Sequence, residues 1–338
     1  MTAEFDLAIV GSSPFATLLA GLLGGEHRRR VLRLGRRTSP QRLPRGFEVA
    51  LPLAARPQRW ALLAQGAGET RRLLGAIGAP DALGEIVVSV NTDTEASTHA
   101  LGHVGHLAAG YGMRVKRSPS GWTFAGVPLV RPERLYDKAD EWLKSVAVQS
   151  MNPDDARLEI VDDSATLRTT ERTVTAETIV LADDAAILSL PEDQRPLDLD
   201  GVPITTTLLA GIRGERERLQ LFPDRGVQLF QRHDGILALV RGDEAVESRL
   251  ASAVGEPYPI ARLATGRSRQ LITADAAPFI GRVGGSNLVT IAGLGDAAIF
   301  HAAAVARVLA GVAPEGERAW FLAHAPGAPR REISEFAA

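Results

Sequence analysis

Phe5 to Arg37 reads FDLAIVGSSPFATLLAGLLGGEHRRRVLRLGRR. Asp6 to Val10 is a short apolar run, Gly11-Ser12-Ser13-Pro14-Phe15-Ala16 is a turn, Thr17 to Gly24 is an apolar helix, and Val31 to Leu34 is a second apolar run. Strand, glycine turn, helix and strand at this spacing predict a βαβ unit. In such a unit the first N–H groups of the helix lie open and carry positive partial charge. A dinucleotide pyrophosphate normally sits there. The turn that holds it has the pattern G-x-G-x-x-G/A. Gly11 and Ala16 satisfy the first and third positions, but Ser13 stands at the second, where a missing side chain lets the backbone approach the pyrophosphate. The stretch predicts a nucleotide-type scaffold with one part exchanged.

Working outward, Arg37 to Pro57 is rich in Pro and Arg and reads as an extended loop. From Arg59, apolar residues recur at helical spacing (Trp60, Leu63, Ala67, Leu74) until Gly78 and Pro80. Glu85 to Asn91 is a strand, and Thr92 to Glu95 cap a helix over Glu95 to Tyr111. That helix carries His99, His103 and His106 on one face. The spacing suits a metal, yet no carboxylate is interleaved and two glycines weaken the helix, so a wet or packed helix face is the better reading.

Strands follow at Arg114 to Lys116 and Gly121 to Val130, then a helix over Glu133 to Val146 and a small meander between Leu158 and Val174. Thr178 to Ala182 is a continuous apolar run, as a central parallel strand should be. Val202 to Arg241 is strand-rich, with turns at Pro223 to Gly226 and His233 to Gly235, and Ala245 to Val254 is helical. Leu288 to Ala292 is another buried strand; Gly293-Leu294-Gly295-Asp296 opens a last helix from Ala297 to Leu309, and the tail from Ala313 reads as a surface wrap.

The chain has 338 residues, 45% hydrophobic and 23% charged, with a net charge of −2. This is the balance of a globular protein, without the basic excess of a nucleic-acid binder. Arg28-Arg29-Arg30 reads as solvation of a helix end. The absence of cysteine excludes disulfides, thiolate catalysis and iron–sulfur clusters. No stretch reaches the ~20 apolar residues of a membrane span, and the N-terminus lacks a basic leader, so the expected location is the cytoplasm.

This order of elements resembles the D-amino-acid-oxidase-like FAD-dependent oxidoreductases, the family of glycine and sarcosine oxidases, over about residues 5 to 311. Besides the opening stretch, Glu177 to Leu188 (ETIVLADDAAIL) is similar to the family's strand and small-residue turn. Thr273 to Gly311 is similar to its C-terminal signature through Asp275, Pro278, Ile280-Gly281, Asn287-Leu288, Gly293 and Gly295. The resemblance implies an α/β fold: a Rossmann-like FAD-binding domain of glutathione-reductase type with an inserted antiparallel β-sheet substrate domain. The boundaries it suggests are 1–80, 131–200 and 271–338 for the first and 81–130 and 201–270 for the second.

The resemblance also implies FAD as cofactor, held by Gly11, Ser12, Ser13, Pro14, Ala16, Arg36, Ala182, Gly293, Gly295, Asp296 and Ala297. The implied substrate is a small amine or amino acid that gives a hydride to the flavin. Its carboxylate would be clamped by Arg267, Arg269 or Arg241, with His301 a further candidate beside the flavin. The departures from the family all fall on cofactor contacts. Ser13 replaces a glycine, Gly35 stands where an acid should hold the adenosine ribose, and Asp184 replaces the close-approach glycine. Asp296 and Ala298 alter the last turn. Asp296 reads either as a ligand of the ribityl chain or as a helix N-cap, and Asp183-Asp184 either as altered contacts or as solvated loop. The sequence therefore leaves open an amine or amino-acid oxidoreductase, a non-catalytic flavoprotein-like subunit or accessory protein acting through a protein partner or a second copy, and a hydroxylase- or reductase-like flavoprotein.

Overall fold

The computed structural model describes residues 3–36, 43–53, 56–161, 164–196, 199–210, 217–232, 235–254, 261–273, 277–283 and 286–328. Arg37, Asp275 and the His233-Asp234 part of a predicted turn lie outside them. In chain order the first elements are β1 (Phe5–Val10), α1 (Pro14–Gly25), β2 (Val31–Leu34), β3 (Glu48–Val49), α2 (Pro57–Ala76), β4 (Leu83–Asn91), α3 (Glu95–Gly110), β5 (Arg114–Ser118), β6 (Gly121–Val130), α4 (Pro132–Ser145) and β7 (Gln149–Met151). Then come β8 (Ala156–Val161), β9 (Ser164–Thr169), β10 (Thr173–Val174), β11 (Ala176–Leu181), α5 (Asp184–Leu188) and β12 (Leu199–Leu209). The chain continues through β13 (Arg218–Phe222), β14 (Val227–Gln231), β15 (Ile236–Arg241), α6 (Val246–Val254), β16 (Arg262–Thr273), β17 (Phe279–Arg282), β18 (Leu288–Ala292), α7 (Ala302–Ala310) and α8 (Glu315–Leu322).

The opening unit sits at the centre of a sheet ordered β17-β18-β11-β1-β2-β7, parallel apart from β17. Its middle strands are apolar on both faces because both faces are covered. Helices α1, α4 and α7 bury one side; the β8–β10 meander and α5 bury the other. Helix α1 is buried from Pro14 to Leu23 because it lies between the sheet and other helices. Gly21 permits this: a Cβ there would lie 2.1 Å from the Trp142 ring of α4.

The second sheet runs β16-β12-β15-β14-β13-β4-β6-β3, with β5 paired to β6. Alternating residues such as Val88, Val90, Phe124, Val127 and Leu239 form its core, onto which α3 lays Leu101, Val104 and Ala108. His99, His103 and His106 are exposed on the opposite side of α3, and no group able to hold a metal ion occurs among the described residues.

Some elements differ from the sequence prediction. Strand β7 is short, polar and at the sheet edge, so it carries no apolar period. Asp183-Asp184 is not solvated loop; Asp183 caps α5. The last helix begins earlier than expected, as a 3-10 segment over Gly295–His301 that becomes α7. The tail contains α8, pinned where Arg307 meets Glu317 at 2.6 Å and Glu69 at 2.9 Å. Among the described residues no single helix is long and apolar enough to cross a membrane.

Candidate functional site

Strands β1, β2, β11 and β18 run parallel, so their C-terminal ends lie along one edge of the first sheet, and the glycine turns that follow β1 and β18 open from that edge. At the first turn, Gly11 donates its N–H to the Leu34 carbonyl at 2.9 Å. Ser13 caps α1, its Oγ accepting the Ala16 N–H at 3.1 Å. The next two donors are also taken. Asp183, delivered by the end of β11, places Oδ2 2.6 Å from Ser12 N and 3.1 Å from Ser13 N. Its other oxygen accepts the Ala186 N–H at 2.9 Å. One carboxylate thus spans two helix N-termini, where positive partial charge favours an anion. Ala182, just before it, continues the strand ladder by donating to the Val10 carbonyl at 2.8 Å. Pro14 is the first helical residue and has no N–H to offer.

The second turn is filled in the same way. Gly293 and Gly295 adopt positive φ (68° and 56°), which their lack of a side chain permits. Asp296 points across to the second sheet, accepting the Phe47 N–H at 3.2 Å and the Gln228 side-chain N–H at 2.9 Å. It is not the N-cap, a position held by Leu294. A Cβ on Gly46 would come 2.7 Å from the same carboxylate. Glu48 of β3 reaches the 3-10 segment, its Oε2 accepting the Ile299 N–H at 3.3 Å. Burial, with the Asp296 charge adding to it, pushes the Glu48 carboxyl up to about 8, so it is mostly protonated at neutral pH. Ala297 presents its carbonyl to His301 Nδ1 at 2.9 Å.

Asp184, beside Asp183, caps the edge of β16 by accepting the Leu271 N–H at 3.1 Å; burial raises it to about 7. Beside the end of β2 a cavity of about 720 Å³ opens between Gly35, Arg36, Lys144, Ser150, Asn152 and Asp154. Arg33, 5% exposed, lies at its base. Arg36 donates its backbone N–H to Ser12 Oγ at 2.9 Å and turns its guanidinium to Asp154. Gly35 is locked in place: a Cβ there would stand 2.0 Å from the Gly11 carbonyl oxygen.

The arginines expected to converge on a substrate do not all do so. Arg267 and Arg269 share a face of β16 and, with Arg45, line a hollow of about 440 Å³ against α5. Arg241 ends β15 and does not line it. His301 is 1% exposed, and burial beside the Arg59 charge holds it down to about 3, so the ring is neutral. It is packed in the core, with its Nδ1 on the Ala297 carbonyl.

The FAD implied by the resemblance can be tested against these contacts. Its pyrophosphate needs the Ser12 and Ser13 N–H groups, which Asp183 holds. A phosphate entering within ~4 Å of that carboxylate would meet a repulsion of roughly 4 kcal/mol at an effective dielectric constant near 20. At the other turn, where a flavin edge would accept from the helix start, Glu48 occupies the Ile299 N–H and Asp296 is committed to Phe47 and Gln228. The residues as arranged do not fit FAD. Sequence reading missed Glu48, Gln228 and Arg45, and it left Asp183 undecided. The one signal was a pair of acids where a small-residue turn was expected.

Scanned against models of protein families and against curated proteins, the sequence matches none. Its fold, however, is shared with solved structures. L-proline dehydrogenase from P. horikoshii superimposes with a TM-score of 0.73 at 11% identity, covering 95% of this chain and 97% of the other. Glycine oxidase from Geobacillus kaustophilus gives 0.71 at 16% identity, covering 98% and 100%. NikD, an unusual amino acid oxidase essential for nikkomycin biosynthesis, gives 0.72 at 14% identity, covering 98% and 100%. The chain therefore shares the fold of these proteins over nearly all of its length.

Proposed function

We propose that this chain is a cofactor-independent accessory protein: it keeps the scaffold of an amine or amino-acid oxidoreductase and acts by binding another polypeptide. The observation that carries this reading is Asp183, whose carboxylate takes the Ser12 and Ser13 N–H groups at 2.6 and 3.1 Å. An internal anion there makes an external one redundant and repels it. At the other turn the Asp296 carboxylate and the protonated Glu48 carboxyl accept the Phe47 and Ile299 N–H groups, so donors at both turns are satisfied from within. The test is a visible spectrum of protein expressed with added riboflavin, followed by calorimetric titration with FAD. A colourless protein that takes up no FAD is the expected result; flavin bands that survive gel filtration would overturn it.

A second reading is an FAD-dependent oxidoreductase acting on a small amine or amino acid. The cavity beside Gly35 and the paired Arg267 and Arg269 favour it, since the first has room for a nucleoside and the second suits a carboxylate. On this reading FAD would supply the hydride acceptor, and Asp183 and Glu48 would have to leave the donors they hold. Turnover of proline or glycine with a dye acceptor, by protein that carries flavin, would establish it.

A further inference from the structure

We propose that the open edge of β16, with the arginine hollow beside it, docks an extended acidic segment of a partner protein. This rests on the accessory-protein reading and names the surface through which it works.

Among the described residues, strand β16 ends the second sheet and pairs with β12 alone. Leu271 turns its N–H away from β12, to Asp184 Oδ2 at 3.1 Å. Backbone groups alternate sides along a strand, so the N–H and C=O groups of Thr265, Arg267 and Arg269 face the same outward direction. A free row of this kind templates another strand, and proteins usually blunt it with proline, lysine or a bulge. From Arg262 to Thr273 there is neither proline nor lysine. The one register shift lies at the far end, opposite Leu208/Leu209.

Charge decides what fits. Arg45, Arg267 and Arg269 line the hollow with Ala185, Leu188, Ser189 and Ser268, and no acid is among them. Arg269 gives one N–H to the Gly201 carbonyl and Arg45 lies within electrostatic reach of Asp184, whereas Arg267 makes no ion pair among the described residues. Arg262 is already held by Glu247. Arg267 and Arg269 lie two residues apart, ~6.5–7 Å along the strand, so carboxylates at alternate positions of an added strand would match them. Leu263, 60% exposed, stands at the register shift and offers an apolar contact a few residues along. A second copy pairing β16 to β16 would bring arginines against arginines, which disfavours self-association.

The test uses the full chain and a fluorescein-labelled decapeptide alternating glutamate and valine, read by anisotropy at low salt. Its lysine–valine counterpart serves as the control. Micromolar binding of the acidic peptide alone is expected. Arg267→Glu with Arg269→Glu should weaken it about tenfold or more. Thr265→Pro, which removes only an outward donor on an edge strand, should weaken it by about tenfold as well. Weakened peptide binding in Thr265→Pro would agree with strand addition; full retention in Thr265→Pro, with citrate displacing the peptide, would reduce the hollow to a plain anion site and overturn the proposal. No peptide binding, or binding indifferent to the arginines, would also overturn it. A photo-crosslinker at Ser268, used in the native cell, should attach to an acidic stretch of another protein, and attachment to a second copy would count against it. Failure of docking in colourless protein removes this inference alone, whereas flavin-loaded, active protein removes the accessory reading whatever the peptide does.

Discussion

Asp183 sets the character of the site. Its Oδ2 closes two donors at the start of α1 and its Oδ1 closes one at the start of α5. Asp183→Ser keeps a capping oxygen for Ala186 but withdraws the charge and the reach to Ser12 and Ser13. Two N–H groups are then left open, at a cost of roughly 1–3 kcal/mol in stability. In return the α1 N-terminus regains its attraction for anions. ADP should bind the variant and not the parent; calorimetry showing equal, negligible heats for both would refute the idea that Asp183 is the obstacle. Gly35 behaves differently. An acid at the end of β2 is what an adenosine ribose would call for, but a Cβ there would stand 2.0 Å from a backbone oxygen. Gly35→Glu is therefore expected to lower the melting temperature by several degrees and to add no nucleotide affinity, by differential scanning fluorimetry with and without ADP. An undisturbed melting temperature would show that the Gly11 turn yields easily.

At the scale of elements, the 3-10 segment Gly295–His301 is held to the second sheet through Glu48 and Asp296. Glu48 carries a folded value of about 8 against 4.5 for a free glutamate. In the folded protein it keeps its proton over that window, while the unfolded chain releases it, so folding stability falls as pH rises from 4.5 to about 8. Asp184, raised to about 7, adds a slope of the same sign. Glu48→Gln keeps an oxygen for the Ile299 N–H and cannot ionise. Urea unfolding across this range should show the downward slope in the parent and a shallower one, due to Asp184, in the variant; identical slopes would mean Glu48 is ionised in the fold. The elements themselves were largely legible in the sequence. The apolar runs of β1, β11 and β18 and the period of α2 and α4 follow from burial on both faces or on one. The identity of the carboxylates' partners was not legible. Asp183 meets Ser12 from 171 residues away, and Glu48 meets Ile299 from 251 away. Such contacts depend on how the glycine turns approach, which no local pattern encodes. The Asp183-Asp184 pair was visible, yet its short helix α5 is too brief to show a period.

For the molecule as a whole, the two sheets are linked where they approach by protein carboxylates. Asp296 ties the last 3-10 segment to Phe47 and Gln228, and Asp184 ties the end of β11 to β16. A ligand that binds only the folded state raises stability by RT ln(1 + [L]/Kd), about 2.7 kcal/mol at a hundredfold excess over Kd. In a chain of this size that amounts to a rise of several degrees in melting temperature. A protein whose donors are already satisfied should gain nothing. Its melting temperature is expected to stay constant as FAD is raised to millimolar concentration, while Asp183→Ser should begin to respond to FAD. Breaking the joints has the opposite signature. Asp296→Ala together with Asp184→Ala removes three of the hydrogen bonds between the layers and leaves their donors facing a partly buried seam. Because each sheet has its own apolar core, the layers should then melt separately, giving two calorimetric transitions in place of one. A single, merely lowered transition would mean that apolar packing, and not the carboxylates, couples the two halves.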